Sequence, residues 1–299
     1  MTLLDTVRAW VSTPGPTVAV DIAADGVSAL AATAAAAGVA AHAHAPRPAG
    51  AVTPAATSAN VRDRAAAAAA VRDVLGRLPR RDPRVSLVVP DSAAKVSILH
   101  FESAPARRGD LEKLIRWKVR DAVPFGLDDA QVAWDATAPH AAGRDFVAVV
   151  MRRDIVEEYE AVALAAGVQP GVVAPASFGL LSLVPGGSGD RLLVHAAAGY
   201  NAAAIVRDGN LVLYRSQTGA QDADLTDLVH RTAMYYEDRL GGAGFTQVLL
   251  AADHRAARAV IDRLAARIDA PVTSLHAVGG PDVPAAAAGA LLGPSRLAA

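Results

Sequence analysis

No cysteine occurs in the 299 residues, which excludes disulfides and thiolate metal sites. Aromatic residues make up only 4% of the chain against 52% hydrophobic residues, and much of the apolar remainder is alanine. Alanine buries little area, so stability has to come from many close backbone contacts rather than from a few large anchors. Neither sign of charge is in excess. The formal net charge is −1 and the pI about 6.7, which gives no bulk drive toward nucleic acid or anionic lipid. No apolar run approaches the ~20 uncharged residues of a membrane-spanning helix. The opening MTLLDTVRAWVSTPGP sets Leu3, Leu4, Val7, Trp10 and Val11 at helical spacing, without the basic start or cleavage site of a signal peptide. A short helix packed on its own domain, in a cytoplasmic protein, is expected.

What is present is a repeated texture. After Pro14-Gly15-Pro16, the runs around 17–23, 27–33 and 38–45 read as three strands, divided by Asp25-Gly26 and Gly38. A Pro-, Ala- and Thr-rich loop (46–58) follows. Asn60 is placed to cap a helix through VRDRAAAAAAVRDVLGRL, which Pro79 ends. RVSLVVP (84–90) and AKVSILHF (94–101) read as strands. GDLEKLIRWKVRDAVPF puts Leu111, Leu114, Ile115, Val119 and Ala122 on one helical face, and two strands, QVAWDATA and RDFVAVVM, come next. Residues 102–151 therefore read as a small helix-plus-sheet module. A helix capped by Asp154 and stopped by Gly167, a strand (VQPGVVAP) and a helix (ASFGLLSLV) complete the first half, and PGGSGD (185–190) reads as a linker. Beyond it three strands recur (LLVHAAA, AAAIVR, LVLYRSQ), joined by turns at Gly199-Tyr200-Asn201 and Asp208-Gly209. Helix, strand, helix, strand and helix then follow as in the first half.

Most chemistry-bearing residues have bland explanations. His42 and His44 share one side of a strand, but two histidines make a weak metal site without a third ligand. RRDPR (80–84) reads as a solvated loop, lacking the interleaved aromatics of a nucleic-acid surface. Asp222, Asp224 and Asp227 lie where negative charge favours a helix dipole.

The layout, with the residues that fill it, resembles the PilM family of actin-like proteins from type IV pilus assembly. The likeness rests on AVPFGLDDAQVAWDA (122–136), VAVDIAADGVSAL (18–30), RVSLVVPDSAAKV (84–96), EYEAVALAAGVQPGVVAPASFGLL (158–181) and AAIVRDGNLVLYRS (203–216). It implies an α/β, actin-like (ribonuclease H-like) fold of two duplicated lobes. The first lobe would comprise 1–101 and 152–187, a small α+β subdomain would be inserted at 102–151, and the second lobe would comprise 188–299.

Actin-like folds bind ATP between their lobes, using carboxylates near a Mg²⁺ ion and glycines that let the backbone approach the phosphates. By that correspondence Asp21 keeps the first acidic place, with Ala23 where glycine is usual. His195 holds the second acidic place and Ala197 its glycine place. Ala251, Ala252 and Asp253 replace a glycine run. Alanine at a left-handed backbone position would cost about 1–2 kcal/mol, unless the loop has relaxed to another shape. The resemblance thus implies a degenerate nucleotide site with no cofactor and no metal, and a non-catalytic scaffold of a pilus or related secretion platform. Two alternatives remain: a divergent ATPase or nucleotide switch using ATP and Mg²⁺, and a type II secretion platform component. The latter would be a standalone version, since GALLGPSRLAA closes the chain without a membrane span or periplasmic domain. The partner implied is the cytoplasmic N-terminal peptide of a PilN-like bitopic inner-membrane protein, held near the inserted module, which would place the chain at the inner membrane through that contact. Copies of the chain itself are a second expected partner. Trp117, Phe125 and Trp134, three of the few large aromatics, are the candidate anchors, and core packing is the competing role for them.

Overall fold

A computed structural model describes residues 15–33, 38–79, 82–140, 142–219 and 222–292. The expected N-terminal helix, Arg80 and Arg81 of the basic loop, and the closing GPSRLAA lie outside the described residues.

Thirteen strands and seven α-helices are built from these residues. Strands β1 (Val18–Ile22), β2 (Gly26–Ala32) and β3 (Val39–Pro46) form an antiparallel meander, and helix α1 (Arg64–Gly76) follows. β4 (Arg84–Val89) runs parallel to β1, and β8 (Gln169–Pro175) parallel to β4, which gives the sheet order β3-β2-β1-β4-β8. The second sheet repeats that order with β9 (Asp190–Ala197), β10 (Tyr200–Arg207), β11 (Asn210–Thr218), β12 (Gln247–Ala252) and β13 (Val272–Ser274), as β11-β10-β9-β12-β13. The duplication read from sequence texture is therefore a duplication of topology.

Between β4 and helix α3 (Arg153–Ala165) lie β5 (Lys95–Phe101), helix α2 (Arg108–Val119), β6 (Ala130–Ala136) and β7 (Arg144–Arg152). The three strands make a separate antiparallel sheet, β5-β7-β6. β5, which the sequence reading grouped with the first lobe, is hydrogen-bonded along its whole length to β7. Its apolar run carried no sign of which sheet it would join.

Each large sheet has one face covered by its own long helices. The first core joins β1, β2 and β4 to Val71 and Val74 of α1 and to Ile155, Tyr159 and Val162 of α3. The second joins β9, β10 and β12 to α5 (Asp222–Leu240) and α6 (His254–Ala265). Between the sheets run α4 (Ala176–Leu181) and α7 (Ala285–Leu292), which cross at glycines. A Cβ at Gly179 would strike the carbonyl oxygen of Ala286, and one at Gly289 the carbonyl oxygen of Gly179. Alanine dominates this layer, with Ala286, Ala287 and Ala288 all buried. Small residues let backbone approach backbone, as the low aromatic content required.

Two caps differ from expectation. Asp63, not Asn60, caps α1, its Oδ1 accepting from the Ala66 amide at 2.9 Å. Asn60 is fully buried instead: its side chain donates to the carbonyls of Ala55 and Ser58 and accepts from the Tyr159 hydroxyl. Asp154 sits inside the first turn of α3, where its charge faces the helix N-terminus, rather than at the cap. Gly167 does terminate α3, with φ +84°.

Candidate functional site

The ends of β1 and β9 face each other across the junction of the lobes. β9 places His195 in register with Ala202 of β10 and Ala251 of β12. Side chains at paired positions share a face, and here that face looks toward the other lobe. Asp91, on a short 3-10 turn after β4, receives His195 there, Nδ1 lying 3.4 Å from Oδ2. Asp91 is fully buried, accepts from the Ser177 amide at 2.9 Å, and also accepts from the Ser177 hydroxyl. Tyr200 closes the other side of the imidazole, edge-on at 5.3 Å between centroids. The lobes are thus bridged by direct contact between a histidine of one and a carboxylate of the other.

Asp21 of β1 lies beside this bridge. Among the described residues no amide or hydroxyl donates to its carboxyl. Its pKa is pushed up to about 7, first by desolvation and further by the neighbouring acids Asp91 and Asp25, while His195 pulls it down. The Tyr200 and Tyr214 hydroxyls are likewise held well above the ordinary phenol range, by burial and then by Asp91.

The alanines at the expected glycine places adopt ordinary backbone. Asp208, at φ 49°, is the only non-glycine with positive φ among the described residues, so Ala23, Ala197 and Ala251 carry no left-handed strain. Of the two outcomes expected at these loops, the relaxed shape is the one found. Ala23 instead opens a turn closed by its amide to the Gly26 carbonyl at 3.0 Å. Ala197 pairs with Tyr200 across a two-residue turn, so the turn is Ala198-Gly199 and not Gly199-Tyr200-Asn201. Ala251 does not line an open cradle. It is buried among Val88, Ala176, Leu180 and Leu249, in the core between the sheets. Asp253 is exposed.

Other residues here, Asp91 and Ser177 among them, were not singled out from the sequence. Arg47 is buried, donates to the Ala23 carbonyl, and leaves Nε and Nη1 without partners. Desolvation lowers its pKa, with Tyr159 and then Asp25 acting against that. Lys95, Arg215 and Arg231 line a cavity of about 340 Å³ together with Tyr214, Ser216 and Gln217.

In the small sheet, α2 buries Leu111, Ile115 and Val119 and turns Trp117 outward, 57% exposed. Phe125 and Trp134 pack partly buried on the same core, Trp134 edge-to-face with Phe146 at 5.9 Å and beneath the Arg108 guanidinium at 5.5 Å. The three aromatics share one subdomain, but only Trp117 is presented to solvent. His42 and His44 both lie exposed on β3, His44 bonded to the Ser28 hydroxyl at 3.1 Å.

Comparison with known proteins agrees with this architecture. The family model described as type IV pilus assembly protein PilM matches residues 19–238. The chain belongs to the PilM family. Among solved structures, this PilM-family chain is similar to a PilM-PilN type IV pilus biogenesis complex at TM-score 0.77 and 16% identity, over 94% of this chain and 100% of that one. It is also similar to the cytoplasmic domain of EpsL, an inner-membrane component of the Vibrio cholerae type II secretion system, at TM-score 0.55 and 11% identity over 94% and 96% of the two chains. The ethanolamine utilization protein EutJ from Carboxydothermus hydrogenoformans gives TM-score 0.53 at 11% identity over 97% and 96%. The fold is actin-like. No curated protein matches the sequence. Among the described residues of this PilM-family chain, no helix is long and apolar enough to cross a membrane.

Proposed function

We propose that this PilM-family chain is a non-catalytic scaffold in the assembly platform of a type IV pilus or a related secretion machine. One observation supports the reading: His195, at the position that the resemblance aligns with the second acidic residue of an actin-like nucleotide site, lies against Asp91 and acts electrostatically on Asp21. Magnesium is a hard ion that takes carboxylates and water, and an imidazole does not suit it. The residues here do not fit a Mg²⁺–triphosphate group. Asp91 is already engaged with Ser177 and His195. Ala251 is committed to the interlobe core.

The partner proposed is the cytoplasmic N-terminal peptide of a PilN-like bitopic inner-membrane protein, which would hold the chain at that membrane. Trp117 supplies an exposed aromatic beside Arg116, Lys118 and Arg120, a surface suited to a peptide with apolar and acidic residues. Phe125 and Trp134 support that surface from within the subdomain core. Titration of the full chain with such a peptide tests this. Trp117→Ala is expected to weaken binding by tenfold or more while leaving the melting temperature within a degree or two. Equal affinity of variant and parent would remove Trp117 from the interface.

A further inference from the structure

The small subdomain carries a cluster that the scaffold reading does not use. His100 near the end of β5, His140 in the loop after β6, and Asp145 in β7 bring three donor atoms together, all within 4.8 Å of one another. His100 Nδ1 lies 2.8 Å from Asp145 Oδ1, and His140 Nε2 lies 3.5 Å from the same oxygen. The two rings stack at 5.4 Å between centroids and 23° between planes.

We infer that His100, His140 and Asp145 form a binding site for a divalent transition-metal ion of the zinc class. Two imidazoles and a carboxylate are the donor set that favours zinc, nickel or copper over magnesium or calcium. Donor atoms about 3.3 Å apart surround a tetrahedral zinc with bonds of about 2.0–2.1 Å. The two separations given above lie on either side of that value. A metal ion uses the lone pair of each ring and of the oxygen at once, and leaves its remaining position to water.

The backbone holds the three residues in place without the ion. His100 and Asp145 are directly opposed in the β5–β7 register. His140 and Gly143 exchange backbone hydrogen bonds of 2.9 and 3.0 Å. Gly143 has φ +133° and lies against the Phe101 carbonyl, where any side chain would clash. The Thr137 amide is bonded to the Asp145 carbonyl at 2.9 Å. Two residues before His140, the Ala138 amide donates to Asn210 of the second lobe at 3.1 Å. An ion held by His140 and β5 would therefore fix a loop through which the small subdomain touches the second lobe.

The test uses untagged, chelator-treated full chain titrated with Zn²⁺ by calorimetry and followed by thermal melting. The expected result is one saturable ion per chain with a raised melting temperature. His140→Ala and Asp145→Asn should each weaken binding tenfold or more, while the double variant of His42→Ala and His44→Ala binds as the parent does. His140 is exposed in a loop, so its variant folds whatever the metal does. Absence of saturable Zn²⁺ binding at about 100 µM, or parental affinity in His140→Ala, would overturn the assignment.

Discussion

At Asp21 a carboxyl sits among Asp25, Asp91 and His195 with no hydrogen-bond donor among the described residues, and its pKa of about 7 stands far above the ordinary carboxylate range. In the folded chain this group holds its proton toward neutrality, whereas in the unfolded chain it loses it near the ordinary carboxylate value. Across that window the folded state binds the extra proton, so stability from this group is present at low pH and is lost as pH rises toward 7. The limiting slope is about 1.4 kcal/mol per pH unit. Asp21→Asn removes the titration. Urea unfolding of parent and variant at several pH values from 5 to 7.5 should show the variant gaining on the parent as pH rises; parallel curves would place Asp21 in ordinary solvent contact. His195 was recognised in the sequence as a substitution at an acidic position, but its partner was not. Asp91 and His195 are 104 residues apart, on different lobes, and nothing in PDSAA advertises a buried carboxylate. Only the meeting of the two sheets creates that contact.

At the scale of elements, period and punctuation placed the strands and helices in their order, most within two residues, because turns such as Asp25-Gly26 and Asp208-Gly209 and stops such as Gly167 are written in the sequence. Several ends, that of α2 among them, fall three or more residues short of the expected run. What escaped was allegiance. β5 joins the small sheet because β7 offers it a full antiparallel ladder, and an apolar strand reads the same whichever sheet accepts it. Asn60 reads as a cap because it stands before a helical run, yet burial beside Tyr159 and the Glu158 carboxylate claims it for tertiary structure. The crossing of α4 and α7 is also a tertiary fact: Gly179 and Gly289 look like weak points in their helices until each is seen against the other's backbone. Gly179→Ala has no room and should cost about 2–3 kcal/mol. Gly186→Ala, in the open interlobe loop, should be near neutral. Chemical denaturation of the two variants separates them, and equal stability would mean that the helices can part without penalty.

For the whole molecule, two copies of one sheet order face each other through a layer of alanine-rich helices, and a third small sheet projects from the first copy. On the proposed reading, a histidine–carboxylate bridge stands where a motor would need a gap for phosphates, and the exposed aromatic, Trp117 of α2, lies beside the projecting sheet. The most direct measurement is calorimetric titration of the full chain with ATP in the presence of Mg²⁺, beside a titration with the PilN-like peptide. The account predicts no saturable nucleotide binding up to about millimolar concentration and peptide affinity unchanged by ATP. Saturable, Mg²⁺-dependent ATP binding that Asp21→Asn abolishes would contradict it and make the chain a nucleotide switch.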